Sequence, residues 1–279
     1  MCATRTRPAK KSSRSAYSFS WKVLTVALVL VTGPAGLLGS AVIPRLMARG
    51  HQVRVLVHNT PPGQPPAVQV VRGDVRTGSG LLEAVTGVQA VIHAATSPFR
   101  RAKATDIGGT QRVLDTAASA GAHLVFPSIV GVDQLSAPYY QAKWLAEQLV
   151  ESGSRWTIQR ATQFHPLINR MLSHRLFPVT RHLAFQPVDA GELAERLIDL
   201  LEAGPAGRAE DFGGPEVLSL REIAAAREAA TGRHTTLIRV PAIGPLRALD
   251  AGRHLCPRHI RGRVTWQTWL TDHHAAPGH

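Results

Sequence analysis

Cysteine is nearly absent from this 279-residue chain, which has only Cys2 and Cys256, at opposite ends. A pair that far apart excludes a disulfide-built scaffold and points to a reducing, cytoplasmic compartment. No Cys/His spacing resembles a zinc site, so no metal is expected, and His273, His274 and His279 read as solvated residues of a polar tail. Aromatic residues are few, at 5%. Trp144, Trp156, Trp266 and Trp269 therefore read as packing residues rather than a base-stacking platform. Acidic residues are scarce too: 19 Asp and Glu stand against 32 Lys and Arg, a formal charge of +13. Such an excess raises nucleic acid as a partner. However, Arg5, Arg7, Lys10, Lys11, Arg14 and Lys22 all fall before the first acid, and no recognised nucleic-acid module follows. No specific nucleic-acid binding is expected, and Arg72, Arg100 and Arg101 read as surface charges.

Charge is also missing from Val23 to Ile43, a length that would suit a membrane span or the centre of an export signal. Three glycines and Pro34 interrupt that run. Cleavage near Ser40 and Ala41 would remove the first strand of the pattern that follows. The segment is therefore expected to be a buried strand, a turn and a helix start laid end to end, with no membrane insertion. Residues 1–20 read as a basic, disordered leader.

What is present is an alternation of short apolar runs with helical patterns. "VLTVALVLVTG", "HQVRVLVHN", "VQVVRGDV", "VQAVIHAAT", "AHLVFPS" and "RWTIQRA" read as strands. Between them, "LLGSAVIPRLMARG", "GSGLLEAVTG", "DIGGTQRVLDTAASAG" and "YYQAKWLAEQLVESG" read as helices. Strands that are nearly all apolar, alternating with helices, indicate a parallel sheet covered on both faces. The fold class is α/β, a doubly wound parallel sheet of Rossmann type over residues 21–160, with a smaller C-terminal α/β lobe over 161–279. In that lobe two helices carry capping-box spacing, Asp189 with Glu192 and Ser219 with Glu222.

The turn Gly33-x-x-Gly36-x-x-Gly39 stands directly after a strand and opens a helix. Gly33 suits the tight turn, Gly36 a close approach to a pyrophosphate, and Gly39 the packing of helix on sheet. The helix start at Leu37 and Leu38 would present free N–H groups to anionic oxygens. The second strand ends in His58 and Asn59 with no acid. That removes repulsion against a ribose 2′-phosphate, and His58 offers a donor, so NADP(H) is favoured over NAD(H).

Four further pieces follow in order: "GDV" (73–75), "HAAT" (93–96), "FPSIVGVD" (126–133) and "YYQAK" (139–143). Together with the glycine turn they resemble the short-chain dehydrogenase/reductase superfamily, and more narrowly its atypical, NmrA-like NAD(P)-binding branch. The resemblance implies that Asp74 and Val75 lie near the adenine, and Ala94, Ala95 and Thr96 along the cofactor. It places Thr162, Gln163 and Phe164 towards the nicotinamide or substrate, and Ser128, Tyr139 and Lys143 as the catalytic set. Four residues apart on a helix, Tyr139 and Lys143 share a face, and a nearby ammonium would lower the tyrosine pKa. Ser128 would orient a carbonyl, and Lys143 would also hold the cofactor. His165 could line the substrate cleft or be structural.

Two departures stand out: Pro138 directly precedes the adjacent Tyr139 and Tyr140, and Ile129 follows Ser128. The leading expectation is an NAD(P)H-dependent oxidoreductase acting on a small carbonyl or quinone-like molecule. The alternative is a non-catalytic NAD(P)-sensing protein, with a sugar-nucleotide epimerase as a weaker third reading. A homodimer is compatible with the sequence.

Overall fold

The structure is a computed structural model that describes residues 26–58, 66–97 and 102–274. The leader, Asn59, Arg100, Arg101 and His279 lie outside those residues. The chain begins with β1 (Leu28–Thr32), α1 (Leu37–Ala48), β2 (Gln52–Val57), β3 (Gln69–Arg72), α2 (Leu81–Val85) and β4 (Ala90–His93). A π-helical stretch, Lys103–Gly109, then runs straight into α3 (Thr110–Ser119). β5 (His123–Ile129), α4 (Pro138–Glu151), β6 (Trp156–Ala161) and α5 (His165–Met171) follow.

Seven strands form one parallel sheet in the order β3-β2-β1-β4-β5-β6-β9, the last being β9 (Gly207–Arg208). The largely apolar strands are the physical reason for this arrangement, since both faces must be covered. On one face Val29, Val31, Val53 and Val55 pack with Val42 and Leu46 of α1 and with Leu193, Leu197 and Leu201. These three leucines belong to α6 (Ala190–Ala203). On the other face Leu30, Val91, Leu124, Phe126 and Ile158 meet Leu81, Val113, Ala146 and Val150 of α2, α3 and α4. The result is a Rossmann-type doubly wound sheet.

The chain beyond β6 serves two regions. α6 and β9 return to the large sheet, while the remainder builds a smaller core around Ile168, Leu172, Leu220, Ile223, Trp266 and Trp269. That core is framed by β7 (Leu176–Val179), β8 (Ala184–Phe185), β10 (Leu218–Ser219), α7 (Leu220–Thr231), β11 (Thr236–Arg239), α8 (Pro245–Asp250) and α9 (Trp266–His274). β11 pairs in parallel with β7, and β10 pairs antiparallel with β8.

Two local expectations change. Ser219 and Glu222 close a reciprocal capping box, but at α6 only half of one forms. Asp189 accepts from the Gly191 and Glu192 amides, while the Glu192 carboxylate turns to the Arg263 and Val264 amides and ties down the C-terminal segment. Trp144, expected to pack, is 39% exposed, because its neighbour Lys143 takes the face of α4 turned to the sheet. Among the described residues no helix is long and apolar enough to cross a membrane, and no His, Cys, Asp and Glu grouping could hold a metal.

Candidate functional site

The loop between β1 and α1 is shaped by two backbone contacts that only glycine permits. Gly33 has φ +69°, and a Cβ there would sit 2.7 Å from the Ala95 backbone just past β4. A Cβ on Gly39 would sit 2.2 Å from the Gly33 carbonyl oxygen, so α1 is seated directly on the turn. Gly36 is the N-cap and supplies no side-chain cap, and the first helical turn has no acid. The first-turn amides of Leu37 and Leu38 therefore have no intrahelical acceptor, and the helix end favours an anion. A cleft of about 300 Å³ opens at this turn, running past His58 to Asp74 and Val75, with Ala95 at its floor. These features fit a dinucleotide.

Beside the far end of the cleft, bonded to its lining residue Asp74, stands a residue that the sequence reading missed, Arg76. Its Nε donates to both Asp74 carboxylate oxygens at 3.0 and 2.9 Å, and its backbone amide donates to Oδ1 at 2.8 Å. The Arg76 guanidinium holds the Asp74 carboxyl below its ordinary range. The His58 ring lies 3.5 Å from Asp74 Oδ2 and 3.3 Å from Arg76 Nη2. The signal was a basic residue two places after the aspartate of "GDVR".

The other end is organised around Asp106, a second residue missed. Thr96 Oγ1 donates to Asp106 Oδ1 at 2.6 Å, and the Ser97 amide donates to Oδ2 at 3.0 Å. With its proton so committed, Thr96 Oγ1 accepts from the Tyr139 hydroxyl at 3.1 Å. Lys143 is buried; its Nζ stands 4.0 Å from Asp106 Oδ1 and 4.1 Å from the centre of the Phe126 ring. Phe126 and Ser128 are two apart on β5 and so share the face that α4 covers. Ser128 Oγ is buried and has no hydrogen-bond partner among the described residues.

The electrostatics differ from the simple Tyr–Lys expectation. Burial pushes the Tyr139 phenol up to about 12, and the Asp106 charge adds to that. The Lys143 ammonium faces Asp106 and the Phe126 ring, and burial lowers its own pKa. Behind this pair sits His93, fully buried and held to about 3 by burial and by the Lys143 charge. Thr110 Oγ1 donates to the Asp106 carbonyl at 2.6 Å, so it accepts from His93 Nε2 at 3.1 Å. His93 Nδ1 then accepts from the Thr32 hydroxyl at 2.6 Å, fixing a neutral ring between β1 and α3.

α4 itself is clamped to the sheet one turn beyond Lys143. Glu147 is completely buried and takes Arg160 of β6 at 2.9 and 2.7 Å, with Arg208 of β9 at 3.3 Å.

The segment after β6 holds the C-terminal region. Thr162 Oγ1 accepts from the Gly214 amide at 3.3 Å, and Gln163 Nε2 donates to the His254 carbonyl at 3.2 Å. Phe164 packs partly buried against the α1–α6 core, as does Ala94. His165 is buried and stacks on Trp266 and Trp269 at 5.9 and 5.7 Å, where burial lowers its pKa to about 4.

Residues 33–166 match a family model described as NAD(P)H-binding. That match takes in just under half of the chain and marks the segment as NAD(P)H-binding. Among curated relatives it is 32% identical over 148 residues to a 2-alkyl-3-oxoalkanoate reductase of Stenotrophomonas maltophilia, covering 44% of this chain and 45% of that protein. It is 30% identical over 145 residues to a photosystem II assembly factor of Cyanophora paradoxa, covering 49% of this chain and 45% of that protein. The chain thus spans less than half the length of these curated relatives, and only 12% of an uncharacterized Mycobacterium tuberculosis protein. In fold it is similar to an Agrobacterium tumefaciens short-chain dehydrogenase/reductase with bound NAD, at a TM-score of 0.68 and 21% identity, covering 89% and 96% of the two chains.

Proposed function

We propose that the protein is an NAD(P)H-dependent oxidoreductase that reduces a small carbonyl or quinone-like compound, as the NmrA-like pattern of its motifs suggests. The observation that carries this reading is the chain of groups from Ala95, at the floor of the cleft, through Thr96 to Tyr139, Asp106 and Lys143. A bound nicotinamide would supply the hydride. A phenol with a pKa pushed up to about 12 is fully protonated at neutral pH, so Tyr139 serves as the proton donor to the developing alkoxide. Thr96 and Asp106 hold that hydroxyl in place until substrate competes for it. Ser128 Oγ, buried and without a hydrogen-bond partner among the described residues, orients the carbonyl oxygen, and Lys143 holds the cofactor ribose. The similarity to a reductase in Stenotrophomonas is consistent with this assignment.

The cofactor favoured is NADP(H). His58, 63% exposed at its side chain, and the Arg76 guanidinium stand at the ribose end of the cleft, with no acid at the end of β2. A cytoplasmic location accords with Cys256 being a buried free thiol.

A second reading is an NAD(P)-sensing protein without turnover. It is favoured by the Tyr139 hydroxyl being spent on Thr96, and by the similarity to an assembly factor. The deciding experiment measures NADPH and NADH affinity, then NADPH oxidation over a carbonyl and quinone panel, for the protein and for Tyr139→Phe. The oxidoreductase reading expects turnover that falls on the order of a hundredfold or more in Tyr139→Phe, with cofactor affinity retained. Tight NADPH binding with no turnover on any compound would establish the sensor instead. Tighter NADH than NADPH binding would overturn the cofactor assignment.

A further inference from the structure

A second cavity, of about 580 Å³, lies in the C-terminal region between α5, α7 and α9, and shares no lining residue with the dinucleotide cleft. Its charged lining is all of one sign. Arg170, Arg227 and Arg233 line it together with His274, and no acidic residue does. Arg227 is the unusual member: it is 4% exposed, and among the described residues no carboxylate lies within ion-pairing distance of it. Burying a guanidinium without a counter-charge is costly, and proteins retain such a group where an anion compensates it.

The local hydrogen bonds show which part of Arg227 is structural. Nε donates to Asn169 Oδ1 at 2.8 Å, and Nη1 donates to the Arg233 carbonyl at 3.2 Å, just beyond the end of α7. The Asn169 amide, its orientation thereby fixed, donates to His274 Nε2 at 3.2 Å. Nη2 of Arg227 donates to no atom of the described residues. One edge of the guanidinium is thus locked in place while the other remains available, a preorganised donor of the kind that suits a phosphoryl oxygen. The side chains of Arg170 and Arg233 are exposed and make no ion pair or hydrogen bond among the described residues. The Arg233 charge acts on Arg227 itself, whose pKa burial and that charge both lower.

We propose that this cavity is a binding site for a small phosphomonoester, with the phosphoryl group held by Arg227, Arg170 and Arg233. Its volume exceeds what inorganic phosphate needs and falls within the range of small-ligand pockets, about 300–1,000 Å³. The organic part of the ligand lies against Pro166 and Ala230. The site is a concave cleft between three helices with two exposed arginines at its lining, which suits a small molecule rather than an extended polyanion. It stands independently of the oxidoreductase reading.

The test is calorimetric titration of the full chain with phenyl phosphate at fixed ionic strength, with benzyl alcohol as the uncharged control. Saturable binding of phenyl phosphate alone is expected. The double variant Arg170→Ala with Arg233→Ala removes only exposed side chains and leaves the Arg227 framework intact, so it should weaken binding about tenfold or more. Arg227→Lys, which keeps the charge and loses the fork, should weaken it as well. Absence of saturable binding in the unaltered protein would overturn the proposal. So would an affinity unchanged in the double variant, because that would place the phosphate elsewhere, at the glycine turn for instance.

Discussion

Glu147 offers the sharpest test of how α4 is held, and with it Tyr139 and Lys143. Its carboxylate is completely buried and receives two short bonds from Arg160, whose own side chain is 8% exposed, plus one from Arg208. Glu147→Gln keeps the volume and removes the charge, leaving the Arg160 guanidinium facing a neutral amide in the protein interior. Breaking a buried pair on one side costs about 3–5 kcal/mol. Two contacts argue for the lower figure. Asp133, 37% exposed at its side chain, still holds Arg160 Nη1 at 3.0 Å, and Glu151 still pairs with Arg208. A loss of about 3 kcal/mol corresponds to a fall in Tm of roughly 6–12 °C in a domain of this size. Equilibrium urea unfolding reads the same quantity as a shift in midpoint at constant slope. Replacing both partners, Glu147→Leu with Arg160→Met, should recover most of the loss, because no uncompensated charge remains. Since Lys143 lies one turn away on the same face, cofactor affinity should fall in the single variant and partly return in the double. A loss below about 1 kcal/mol, the size of a surface pair, would refute the clamp.

Gly39→Ala should lower both stability and cofactor affinity, because its Cβ would meet the Gly33 carbonyl at 2.2 Å; a shift of about 1–3 kcal/mol in urea unfolding is expected, and an unchanged midpoint would contradict the seating of α1 on the turn. Stability should also depend on pH through His93 and His123, whose pKa values fall by burial from 6.5 to about 3 and about 4. Below the unfolded value the unfolded chain binds protons that the fold refuses, so stability present above pH 6.5 declines towards pH 4, by up to about 1.4 kcal/mol per pH unit for each histidine. His123→Gln should flatten that slope, and equal stability at pH 7.5 and pH 5 would refute the assignment.

The sheet and the glycine turn were legible in the sequence because each rests on a local signal. Apolar runs mark β1, β4 and β5, and mostly apolar segments broken by a few polar residues mark β2 and β6, while the strand–glycine–helix order fixes the mouth of the cleft. β9 was not legible: at two residues, Gly207 and Arg208, it carries no hydrophobic pattern and joins the sheet only because α6 returns the chain beside β6. The π-helical stretch Lys103–Gly109 likewise leaves no signature in composition. The internal charges were hidden for a different reason, since a charged residue on an amphipathic helix normally faces water. In α4 the buried stripe is Ala142, Lys143, Ala146, Glu147 and Val150, so two opposite charges four residues apart occupy the apolar face itself.

That stripe explains why spacing alone misjudged the tyrosine. Tyr139 and Lys143 do share a helix, but the partners of each charge lie on other elements: Asp106 before α3, Phe126 on β5, Arg160 on β6. The ammonium is balanced by the first two and by the Glu147 charge, and the Glu147 carboxylate is bonded by the third. What dominates at the phenol is burial, which with the Asp106 charge raises its pKa against the opposing hydrogen bond to Thr96. Tyrosine-to-lysine spacing places the residues, and the tertiary partners of the lysine decide which proton the phenol can give up.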